Sequence, residues 1–89
     1  MKTVFKYPLA LDDYIEVELP KDSQILHIGL QHGEPMLWVL VDPTESVHCI
    51  KKIRCAGMGH EIKEKNLRFI DTVHMMGDRL IFHFFEVLE

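Results

Sequence analysis

The segment YIEVELP at residues 14–20 alternates apolar and polar side chains with a period of two, sending Ile15, Val17 and Leu19 to one side and Tyr14, Glu16 and Glu18 to the other. Successive strand residues point to opposite faces, so this pattern builds an extended strand with one buried face. The same reading extends along the chain. TVFKYPL (3–9) and SQILHIGLQ (23–31) alternate, while MLWVLV (36–41) is an unbroken apolar run, the mark of a central strand buried on both faces. VHCIKKIRC (47–55), LRFIDTVHM (67–75) and RLIFHFFEVL (79–88) complete the set. HGEP, DPTES and MGDR supply turns between them, and Gly77-Asp78 marks a two-residue hairpin loop. The expectation is an all-β fold: a small antiparallel sandwich or partly open barrel of about seven strands with little or no helix. A short helical turn over 61–66 is the one exception allowed.

The 89 residues suffice for one domain, 1–89, with only a modest core. Small β-rich domains of this size gain stability by associating, so a homo-oligomer is expected. No apolar run approaches the roughly 20 residues that cross a bilayer, and MKTVFKYPLA interleaves lysines and a proline where a secretion signal needs an apolar stretch. A cytoplasmic protein with no membrane contact is the reading. Cys49 and Cys55 share a strand face about 20 Å apart, too far for a disulfide. They are expected as buried or half-buried thiols.

The last hairpin resolves in more detail. With Gly77-Asp78 as its loop, His74 faces Ile81 and Thr72 faces His83. One face then carries Phe69, Val73, Met75, Leu80, Phe82 and Phe84, a core. The other carries His74, Arg79, Ile81, His83 and Phe85, a mixed set typical of a surface covered by a partner. His74 and His83 are diagonal neighbours close enough to share an ion, but no acidic residue or cysteine on that face completes a ligand set. No metal and no cofactor are expected.

Charge is unevenly spread. The chain has a net charge of −4, yet residues 48–68 hold six basic and two acidic side chains. In KKIRCAGMGH a row of cations runs into a Gly-x-Gly-His loop. Glycines let backbone N–H groups converge on an anion while side chains neutralise it, so Lys52, Arg54, Gly57, Gly59, His60 and His48 form a candidate site for a phosphorylated ligand. The plainer alternative is a tight turn beside a solvated strand face. Catalysis finds little support: His48 and Cys49 are adjacent and point apart, and no third group orients His60 toward Cys55. The chain is read as no enzyme. Nucleic-acid binding is disfavoured too, because the chain is acidic overall and its basic segment lacks interleaved aromatics.

Four segments in order, KTVFKYPL at the start, LWVLVDP (37–43), GMGH (57–60) and IFHFFE (81–86), resemble a family of small, largely uncharacterised phage and prophage proteins. Its pattern is a KYPL opening, a W-x-LVDP strand, a G-x-GH loop and an FH-x-FE ending. The resemblance transfers no catalytic residue. It implies phage or prophage origin, and small accessory phage proteins are frequently inhibitors of host defence. The expected function is thus sequestration of a nucleotide-like immune signal by the basic strand and glycine loop. The alternative is a protein–protein inhibitor of a host defence enzyme or nuclease with no small ligand.

Overall fold

The computed structural model describes residues 1–88. Seven strands follow one another: β1 (Thr3–Pro8), β2 (Tyr14–Pro20), β3 (Gln24–Gln31), β4 (Glu34–Val41), β5 (His48–Gly57), β6 (Leu67–Met75) and β7 (Leu80–Val87). They form two antiparallel sheets, ordered β1-β4-β3 and β2-β5-β7-β6. The result is a sandwich, not a closed barrel. Among the described residues there is no helix, including at 61–66, and hence none long and apolar enough to cross a membrane.

Two hairpins follow directly from their turn residues. His32 and Gly33 have φ of 52° and 78°, and Gly77 and Asp78 have 63° and 68°, the paired positive values of a turn that matches strand twist. The expected pairing of His74 with Ile81 and Thr72 with His83 is observed. The core lies between the sheets, where Leu19, Leu37, Val39, Ile53 and Phe84 are wholly buried. Leu19, Ile53 and Phe84 come from one sheet and Leu37 and Val39 from the other, as period-two alternation requires.

Two expectations change. Phe69 is not in the core: a bulge between Phe69 and Asp71 shifts the register, leaving Phe69 57% exposed and edge-on to Phe85 at 5.7 Å. One extra residue flips every side chain before it to the other face. Asp71, past the bulge and opposite Phe84 as the expected register has it, reaches β3, where its Oδ2 accepts the Ile28 amide and His27 Nδ1–H, each at 2.9 Å. This joins the sheets along one side. β4 is central as expected, but only on one face are its side chains buried, Pro35, Leu37, Val39 and Val41; Met36, Trp38 and Leu40 on its outer face are half-buried. On that face the His27 ring lies 5.4 Å from the Trp38 ring.

β5 and β6 are both antiparallel to β7, which lies between them, so they run parallel to each other. Parallel neighbours need a long return connection. Residues 58–66 supply it as an irregular strap over the outer face, and the glycine loop is where that strap begins.

Candidate functional site

Arg54 shows how the strap is held. It stands opposite Tyr14 on the outer face, yet it is only 6% exposed because the strap covers it. Its Nη1 donates to the carbonyl oxygens of Asp13 (3.2 Å) and Cys55 (2.6 Å), and its Nη2 donates to that of Glu61 (2.9 Å). Nε lies 3.9 Å from Glu64 Oε1, an ion-pair distance without a hydrogen bond. Tyr14 covers the guanidinium, its ring centroid 5.1 Å from Arg54 Cζ, and its hydroxyl donates to Glu64. That bond, with desolvation adding, raises the Tyr14 phenol above its usual range, and it lowers the Glu64 carboxyl. Arg54 is a clamp whose Nη1 and Nη2 are engaged inside the chain, while its buried Nε has no hydrogen-bond partner among the described residues.

The six residues expected to hold an anion therefore divide. His48 and Gly57 sit at opposite ends of β5, roughly 30 Å apart at 3.3 Å per residue. His48 pairs instead with Glu18 at 3.3 Å. Lys52 is exposed, with its Nζ 5.6 Å from the Tyr14 centroid, and borders a separate depression with Glu16 and Lys51. Only Gly57, Gly59 and His60 stay together.

Their geometry is a small closed ring. The Gly57 N–H donates to His60 Nδ1 at 3.1 Å, and the His60 N–H donates to the Gly57 carbonyl at 3.2 Å. Two amides that could have faced a phosphate are thus engaged within the loop. Gly59 supplies a φ of 80°. Gly57 lets the imidazole approach, since a Cβ there would lie 3.2 Å from His60 Cε1. With Nδ1 accepting, a neutral His60 keeps its proton on Nε2, which has no partner among the described residues.

This loop abuts the tip of the β6–β7 hairpin. Between them lies a cleft of about 420 Å³ lined by Gly57, Met58, His60, Arg79, Leu80, Ile81 and Phe82. A second hollow of about 180 Å³ continues past the same His60 and Phe82 to Leu11, Asp12, Asp13 and Cys55. Arg79 and Ile81, expected at a protein interface, are placed beside the glycine loop. The Arg79 N–H closes the turn onto the Met76 carbonyl at 3.3 Å, but its side chain makes no ion pair or hydrogen bond among the described residues. The sequence reading missed Leu11, Met58 and Phe82 as lining residues; a lone Leu beside Asp12-Asp13 and a Met between two glycines were the available signals.

The remaining interface candidates are on the outer face. His83 Nδ1 bonds Thr72 Oγ1 at 2.9 Å, and His74 Nδ1 bonds Asp78 Oδ1 at 3.1 Å, so each imidazole has its own neighbour. Phe85 is half-buried against Phe69. Among the described residues, no group of three or more His, Cys, Asp or Glu side chains is placed to hold a metal ion. Of the cysteines, Cys49 is exposed, lying on the stretch of β5 that β7 does not pair, and Cys55 is buried. Burial pushes the Cys55 thiol up to about 11.

These features define a class: an all-β two-sheet sandwich with a strapped crossover and an apolar cleft rimmed by Arg79 and His60. Residues 1–89 match the family described as a domain of unknown function (DUF7352), and the chain belongs to it. No curated protein and no solved structure matches the chain.

Proposed function

We propose that the chain is a non-catalytic accessory protein of phage or prophage origin that sequesters a small anionic signal of host immunity, nucleotide-like in class, in the host cytoplasm. The observation that carries this is Arg79, an unpaired guanidinium on an apolar cleft of about 420 Å³ shared with His60. Small-molecule sites are mostly apolar with a few placed polar groups, and an arginine fork suits a phosphate. A base would rest against Phe82 and Met58 while Arg79 and the His60 Nε2–H meet the charge. Compared with the sequence reading, Arg79 takes the place of Arg54 as the cation. Cys55 lines the adjoining hollow, where burial raises its thiol to about 11, away from the range of a nucleophilic cysteine.

Calorimetry against mono-, di- and cyclic nucleotides tests this. At least one should bind, be recovered intact after heating, and lose about tenfold or more in affinity with Arg79→Glu, equivalent to about 1.4 kcal/mol. Lys52→Ala should bind as the parent does. A flat response across the panel overturns the reading in favour of a protein–protein inhibitor of a host defence enzyme or nuclease. Exposed Phe69, packed edge-on against half-buried Phe85, is the observation on that side.

A further inference from the structure

The two sheets are joined along one side only. There β3 and β6 meet through Asp71, which holds the Ile28 amide and His27. On the opposite side each sheet ends in an open strand: β1 pairs only with β4, and β2 only with β5. An open strand presents unpaired backbone N–H and C=O groups and is a template for another strand. The core also shows through this seam. Phe5 stands opposite the wholly buried Val39 and so points between the sheets, yet it is 43% exposed.

The two edges differ in charge. On β1, Lys6 shares the outer face with Val4; its ammonium donates to the Gln31 side chain across β4 but has no carboxylate partner among the described residues, and Lys2 immediately precedes the strand. On β2, Glu16 and Glu18 take the corresponding outward positions. Glu18 pairs with His48, whereas Glu16 has no ion-pair partner among the described residues. Like edges would therefore set lysine against lysine and glutamate against glutamate. Unlike edges set lysine against glutamate. A two-fold axis parallel to the strands turns each sandwich over, placing β1 of each copy beside β2 of the other twice in one closed interface. Each three-stranded sheet would then continue into a four-stranded one, and the two Phe5 side chains would meet across the seam.

We propose that this chain forms a symmetric dimer with a second copy of itself through these edges, β1 against β2 reciprocally. The mixed outer face of β6 and β7 stays outside this contact.

Sedimentation of the whole chain at micromolar concentration tests it, with circular dichroism confirming that each variant keeps its sheet. The expected parent species is a dimer that weakens with salt. Lys6→Glu and Glu16→Lys should each weaken it about tenfold, by opposing like charges at both copies of the contact. The double variant, which restores opposite charges, should recover association to within a few-fold of the parent. Phe85→Asp should leave the dimer intact. A monomer at every concentration, single reversals without effect, a double variant no better than the singles, or dissociation by Phe85→Asp each overturns the proposal.

Discussion

The guanidinium of Arg54 donates to the carbonyl oxygen of Glu61 at 2.9 Å, tying β5 to the strap that leaves its far end and crosses back over it. A buried arginine with three carbonyl acceptors holds two segments at once, since the same side chain reaches Asp13 in the β1–β2 connection. Removing it takes a donor from all three carbonyls and leaves the buried Cys55 carbonyl without it, whereas that of Asp13 keeps the Cys55 amide. Arg54→Ala should therefore lower stability by about 3 kcal/mol, and Lys52→Ala, two residues away and exposed, by less than about 0.5 kcal/mol. Urea unfolding of the two variants checks the contrast, and equal midpoints would place Arg54 outside the structural role.

The bond between the Tyr14 hydroxyl and Glu64 makes the strap sensitive to pH at both extremes. Glu64 is lowered chiefly by this bond, so its contribution is present above the ordinary glutamate range and is lost as pH falls through the lower folded value. Tyr14 is raised chiefly by the same bond, so its contribution is complete below the ordinary tyrosine range and is lost as pH rises through the higher folded value. Between these limits stability should not respond to this pair. An ultraviolet phenolate titration should show a late-ionising tyrosine that disappears in Tyr14→Phe. Identical curves for the two proteins would remove the coupling.

The fold was largely legible because period two is a local signal: each strand and both two-residue turns follow from residues near in sequence. Phe69 was misplaced because a bulge adds one residue without any local mark, whereas Asp71, past the bulge, keeps its expected pairing and accepts the distant Ile28 amide. The site was legible only in part for a similar reason. Lys52 and Arg54 look equivalent in KKIRC, and alternation correctly puts them on one face; what separates them is the strap, whose path is set by the order β5-β7-β6. Arg79 carried no signal of its own. It reads as a hairpin-end charge until the fold brings the glycine loop beside it.

The two cysteines should react differently. Cys49 is exposed and Cys55 is buried, with desolvation the main cause of its raised thiol. Because the thiolate is the reactive form, a maleimide at neutral pH should label Cys49 alone in the folded protein and both after denaturation. Labelling of both at equal rates in the folded state would mean that the hollow beneath His60 opens freely.

Gly57 and Gly59 separate backbone strain from ligand contact. A Cβ at Gly59 meets no atom within 4 Å, but its φ of 80° resists a β-branched side chain, so Gly59→Val should lower stability by about 1–3 kcal/mol. At Gly57 the difficulty is proximity, the added Cβ lying 3.2 Å from His60 Cε1. The ring can move because His60 is exposed, so Gly57→Ala should displace the imidazole, break its bond to the Gly57 amide and leave the sheet intact. If His60 Nε2 meets a bound anion, Gly57→Ala should then weaken nucleotide binding about as much as His60→Ala, and combining the two should weaken it no further. The double-mutant cycle by calorimetry is the check: additive losses would show that Gly57 contacts the ligand by itself, and no loss in either variant would take the loop out of the site.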